Sequence, residues 1–93
     1  MKTYMIGYDL NKTGQDYTAL ISKIKNTFGT WWHHLDSTWI VKSDLTAAQI
    51  VNLLSPLIDR NDELLVARLN GEAAWVGFDD KGSNWLKENL SLQ

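Results

Sequence analysis

The stretch GTWWHHLDSTWIV, Gly29 to Val41, holds three of the chain's five tryptophans and both of its histidines. Two aromatic and β-branched runs, TWWHHL and TWIVKS, flank Asp36-Ser37, residue types that favour tight turns, and the simplest account is a β-hairpin. Neighbours on a strand point to opposite faces, so this alternation puts Trp31, His33 and Leu35 on one side and Trp32, His34 and Asp36 on the other. His33 and His34 therefore cannot share one metal without distorting the strand, and the chain has no further histidine to complete a zinc site. A Ser-His-Asp triad from His33, Asp36 and Ser37 fails for a related reason, because the base must touch both partners at once. Packing is the leading reading of these aromatic residues. Contact with a ligand is the alternative, since Trp, His and Tyr on an exposed sheet can stack bases, and Tyr8, His33 and His34 are the candidate binding residues.

Upstream, TYMIGYDL (Thr3 to Leu10) is β-rich and runs into the polar turn NKTG, which predicts a first strand ending near Asp9. In QDYTALISKIKNTFG, the residues Tyr17, Leu20, Ile21, Ile24 and Phe28 form one apolar helical stripe closed by Gly29. Downstream, LTAAQI carries a helix start, with Thr46 as N-cap, Gln49 closing a capping box and Leu45 facing Ile50 as a staple. That helix extends through Leu53, Leu54, Leu57 and Ile58, with Pro56 kinking or ending its regular part. ELLVARL and EAAWVGF flank Asn70-Gly71, a strong hairpin signal, and predict a fourth strand and a shorter fifth. Asp79-Asp80-Lys81-Gly82 reads as a solvated turn, and SNWLKENL as a short closing helix capped by Ser83.

The order is βαββαβ with an appended strand and helix. It predicts an α+β, ferredoxin-like sandwich in a single domain over residues 1–93, helices covering one face of an antiparallel sheet. The strands are apolar on both sides: Tyr4, Ile6 and Tyr8 oppose Met5 and Gly7, while Leu65, Ala67 and Leu69 oppose Leu64 and Val66. A second cover is therefore needed, and a partner subunit is the economical one.

Composition narrows the function classes. The chain has 93 residues, no cysteine and a formal net charge of −2. Disulfides, zinc-thiolate sites and cysteine nucleophiles are excluded, and a reducing cytoplasm is the expected setting. The N-terminal apolar run is too short for a signal peptide, and no segment has the length of a membrane span. The acidic balance supplies no global attraction for phosphate, so nucleic-acid contact must come from a local patch. TWIVKS lacks the basic-Gly-aromatic signature of an RNA-recognition module, and NKTG lacks a P-loop pattern. Asp79 to Gly82 lacks the ligand ladder of a calcium loop.

The segments YDLN, TWWH, LDSTW and NDELLV resemble those of small bacterial proteins labelled "SinR family", across nearly the whole chain. More distantly, Thr3 to Leu69 resembles the CRISPR-associated adaptation subunit and the VapD-type toxin ribonucleases. What the resemblance implies is a ferredoxin-like homodimer with facing sheets, joined in part by the C-terminal strand. In nuclease members of that superfamily, the aspartate ending the first strand meets its symmetry mate and holds a divalent cation, Mg²⁺ or Mn²⁺, for phosphodiester hydrolysis. Asp9 is the matching position, as candidate catalytic and metal-binding residue. Two carboxylates converging on a dyad would suit a hard cation. The competing reading has Asp9 accept backbone hydrogen bonds from the turn after it.

Lys12, Lys23, Lys25 and Lys42 form no run, and the mild acidity favours a non-enzymatic homodimeric binding module. Its expected partners are RNA or DNA, a nucleotide, or another protein, with no required cofactor. The alternative is a metal-dependent endoribonuclease of toxin or phage-defence type using Asp9. Whether the chain is an enzyme stays open at the level of sequence.

Overall fold

The computed structural model describes residues 1–11 and 17–90. Gln15 and Asp16, read above as the approach to the first helix, and all of the NKTG turn except Asn11 lie outside them. The described elements are β1 (Lys2–Asp9), α1 (Thr18–Thr27), β2 (Trp31–Leu35), β3 (Thr38–Ser43), α2 (Ala47–Leu54), β4 (Glu63–Leu69) and α3 (Asp80–Leu90). Together they make a small α+β structure with four strands and three helices. The sheet is antiparallel throughout, in the order β2-β3-β1-β4. None of these helices is long and apolar enough to cross a membrane.

Strand alternation sets the two faces. On the first, Tyr4 and Ile6 lie opposite Val41 and Trp39 across the β1–β3 pair, and Ile6 lies opposite Val66 across β1–β4. These side chains pack with Leu20 and Ile24 from α1, with Phe28 at its C-cap, and with Ile50 and Leu54 from α2, forming the larger core. The helical stripe read from the sequence is thus the buried stripe. The capping box is present: Thr46 Oγ1 accepts from Gln49 N at 3.1 Å, and Gln49 Oε1 accepts from Thr46 N at 2.8 Å. A 3-10 turn, Ser55–Leu57, with Pro56 in its first turn, succeeds α2, so the proline ends the regular helix rather than bending it.

The second face is covered differently from the sequence-based expectation. Trp32 and Ile40 pack beneath Leu86 and Leu90 of α3, with Leu69, Trp75, Phe78 and Trp85 around them. An intrachain helix therefore supplies much of the cover assigned above to a partner subunit. The expected fifth strand over EAAWVGF is absent, and residues 70–79 form an irregular strap. Gly71 has φ +97°, as a turn at Asn70-Gly71 requires, but the chain does not return along β4. Instead Trp75 donates from Nε1 to Ser83 Oγ at 3.3 Å, and Phe78 meets Trp32 edge to face at 4.9 Å. Burying two aromatic rings against α3 and β2 outweighs the ladder that Glu72, Ala73 and Ala74 would have made with little side chain to pack.

Two smaller corrections concern the same face. Helix α3 begins at Asp80, because Asp79 Oδ1 accepts from Gly82 N at 2.8 Å and takes the capping role expected of Ser83. The residues read as a solvated turn are thus largely the first helical turn. In the hairpin, the pairing slips by one residue between Trp32 and Leu35, so Trp32 lies opposite Ile40 but Leu35 lies opposite Thr38. This irregularity moves Leu35 off the side of Trp31 and His33 and onto the second face, where it lines an apolar groove with Ile40 and Val76.

Candidate functional site

Antiparallel pairing places Asp9 opposite Glu63 at the far end of β1. Both side chains are exposed and both belong to the second sheet face, in the half that α3 leaves open. Gly7 lies beside them, and a Cβ added there would meet nothing within 4 Å. Leu65, opposite Gly7, is 58% exposed. These residues border an open depression of about 330 Å³ with Tyr8 and Leu64. Two like charges directly opposite on neighbouring strands repel, so the pair would favour a cation or a cationic partner between them.

The turn expected to hydrogen-bond Asp9 lies, apart from Leu10 and Asn11, outside the described residues. On the described residues to either side of it, Asp62 Oδ1 accepts from Asn11 N and Asp62 Oδ2 accepts from both Tyr17 OH and Asp59 N, each at 2.7 Å. Asn11 Nδ2 adds bonds to the Asn61 carbonyl at 3.0 Å and, more weakly, to the Asp9 carbonyl at 3.5 Å. No described residue donates a hydrogen bond to the Asp9 carboxylate. Asp62 thus ties Asn11, Tyr17 and the Asp59 backbone together, and sequence reasoning passed it over inside NDELLV.

As metal ligands, Asp9 and Glu63 are two carboxylates, and among the described residues no group of three or more His, Cys, Asp and Glu side chains is placed to hold a metal ion. Oxygen donors of this kind suit Mg²⁺ or Mn²⁺, and a complete site would draw further ligands from a second copy.

The other candidates separate between the faces. Tyr8 belongs to the first face, where its hydroxyl accepts from Trp39 Nε1 at 2.9 Å and its backbone N–H donates to Ser37 O at 3.1 Å. Trp39 is fully buried. The His33 ring stacks on it at 3.7 Å with planes 8° apart, and His33 Nδ1 lies 3.1 Å from the Thr38 carbonyl. Trp31 meets Trp39 edge to face, and Lys25 Nζ stands 5.3 Å above Trp31. His34 points the other way, onto Gly82 of α3 and toward Trp32 and Phe78. Any Cβ at Gly82 would lie within 3.2–3.3 Å of three His34 ring atoms, so the glycine permits the helix to approach β2.

The structure thus joins Tyr8 and His33 through Trp39 and leaves His34 and Asp9 elsewhere. Glu63 is the site residue that sequence reasoning missed. Its signal was available only as register: it starts the strand antiparallel to the one Asp9 ends.

Comparison with known protein families, with characterised proteins and with solved structures finds no match to this chain.

Proposed function

We propose that this chain is a non-enzymatic binding module of ferredoxin-like topology that works as a homodimer. Its partners in this reading are nucleic acid, a nucleotide or another protein, and its setting is the cytoplasm, which suits a cysteine-free chain. The strand order, with α1 and α2 on one face, supports the topology, and α3 is then an addition that covers half of the second face. The resemblance to the "SinR family" and the wider adaptation-subunit and VapD-type superfamily belongs to the same proposal.

The observation that carries the reading is the open half of that second face. Gly7 and Leu65 leave an apolar strip exposed beside Asp9 and Glu63, at the edge strand β4, where a second copy can lie. Sedimentation at micromolar concentration tests it. The expected mass is twice 10.6 kDa, and Leu65→Lys should return the protein to a monomer. A wild-type monomer would remove the homodimer from the proposal.

One observation favours the second reading, a metal-dependent endoribonuclease. Asp9 is exposed, its carboxylate accepts no hydrogen bond from a described residue, and a second carboxylate lies opposite it on the same face. In that reading Asp9 and its copy across the dyad would hold Mg²⁺ or Mn²⁺, which would supply an activated water and charge neutralisation at the phosphate.

A further inference from the structure

The end of the sheet remote from Asp9 carries the opposite charge. Lys2 at the start of β1, Lys42 near the end of β3 and Arg68 near the end of β4 line one pocket of about 520 Å³. By register Lys42 lies opposite Thr3 on the second face, whereas Arg68 lies opposite Tyr4 and Lys2 shares its alternation, so the cations flank the sheet end from both faces. Among the described residues no acidic side chain lines the pocket. Among the described residues none of these three cations has an ion-pair partner, and nearby Asp44 is held by the Met1 ammonium at 3.7 Å. Thr3 Oγ1 donates to the Asn89 carbonyl at 3.2 Å and Asn89 Nδ2 donates to the Trp85 carbonyl at 2.9 Å, which fixes one wall against α3.

We infer that this pocket binds a small polyanion carrying two or more phosphate groups. Three uncompensated cations around one concavity leave a positive potential that a multivalent anion would neutralise, and Arg68 can hold phosphate oxygens in a bidentate pair. The pocket volume lies within the range of small-molecule sites. Among the described residues no aromatic side chain lines it, so no ring there stacks a base, and recognition rests on the phosphates. A nucleic-acid duplex is disfavoured as the occupant, because such binding commonly draws on roughly 6–10 phosphate contacts, against three cations here. The inference does not rest on self-association, since all lining residues come from one chain.

Isothermal titration of the full chain with inorganic pyrophosphate at low salt tests it. One saturable site is expected. Lys42→Gln and Arg68→Gln should each weaken binding by about tenfold, and the double variant by about a hundredfold, as expected when charge-assisted hydrogen bonds are lost. Lys23→Gln, which removes the same charge from the exposed face of α1, should change binding less than about twofold. Far-UV circular dichroism establishes that each variant is folded. Absence of saturation at millimolar pyrophosphate would overturn the inference, as would equal weakening by Lys23→Gln. Tight binding of a single-stranded oligonucleotide, with none of pyrophosphate, would overturn the assignment to a small ligand. A protein that sediments as a monomer and still binds pyrophosphate would refute the homodimer and support this site.

Discussion

Trp39 links the fold to the candidate residues, and its removal can be worked through in some detail. The side chain is fully buried in the first-face core, carries the stacked His33 ring at 3.7 Å and donates to the Tyr8 hydroxyl at 2.9 Å. Trp39→Ala removes the whole indole from a packed core and should cost roughly 3–5 kcal/mol, the usual range for truncating a buried aromatic. A domain of this size commonly has about 5–15 kcal/mol in total, so the variant keeps only part of its stability. The hydrogen bond adds an asymmetry. In Trp39→Phe the half-buried Tyr8 hydroxyl turns toward water, and the loss beyond lost volume should be about 1 kcal/mol. In Tyr8→Phe the indole N–H stays in the core without an acceptor, which should cost about 1–3 kcal/mol although far less apolar surface is lost. His33→Ala removes one ring from the stack and should cost about 0.5–1.5 kcal/mol.

Urea denaturation followed by far-UV circular dichroism measures all four without depending on tryptophan fluorescence. A loss below about 1 kcal/mol in Trp39→Ala, with an unchanged denaturant slope, would refute the core assignment. Should that variant keep its stability and lose a ligand, Trp39 would instead be a stacking platform. A Tyr8→Phe variant as stable as wild type would show that the indole N–H finds another acceptor.

Two further outcomes rest on the division of labour between neighbouring aspartates. Asp62→Asn keeps one acceptor oxygen and loses the charged second, so it should lower stability by about 1–3 kcal/mol in the same urea assay; an unchanged midpoint would contradict the bracing role drawn from its three 2.7 Å bonds. Asp9→Asn should change stability by less than about 0.5 kcal/mol, because its carboxylate is exposed and accepts no hydrogen bond from a described residue. The expected result of an RNA-cleavage assay is no hydrolysis of single-stranded RNA by wild type with Mg²⁺ or Mn²⁺. Metal-dependent cleavage that is lost in a folded Asp9→Asn variant would promote the endoribonuclease reading over the binding module.

Most local signals in the sequence survive in the structure, the Ser83 cap and the turn at Asp79 to Gly82 excepted, and the long-range ones fare worse. The hairpin around Asp36-Ser37, the stripe of α1 and the Thr46 cap depend on residues within a turn or two of one another, and each is found. The fifth strand fails because Asn70-Gly71 specifies a turn but not the path of the chain beyond it, and Trp75 and Phe78 find better burial against Trp32 and Leu86. Alternation along β1 and β4 shows that both faces are apolar, yet it cannot name the cover. Half of that cover proves to be α3, whose own apolar side looks too short in sequence to suggest it. The site divides along the same line. Asp9 is legible as a strand end, whereas Glu63 opposite it, Asp62 as the acceptor for Asn11 and Tyr17, and the Lys2, Lys42 and Arg68 pocket need antiparallel register.

That register also changes what the net charge means. Antiparallel pairing brings the start of β1 beside the ends of β3 and β4, which gathers Lys2, Lys42 and Arg68, and brings the end of β1 beside the start of β4, which gathers Asp9 and Glu63. The strand between these groups has eight residues, and at about 3.3 Å each the charged ends stand roughly 25 Å apart. The Debye length in physiological salt is about 8 Å, so neither end screens the other appreciably. A chain of net charge −2 therefore presents one cationic and one anionic end to solvent, each free to choose its own partner. The acidic balance that argues against a phosphate ligand at the level of composition applies to the molecule seen from afar. At the distance over which a ligand docks, the pocket at Lys2, Lys42 and Arg68 is positive and the strip at Asp9 and Glu63 is negative. An anion at the first and a cation or second subunit at the second are compatible in one molecule.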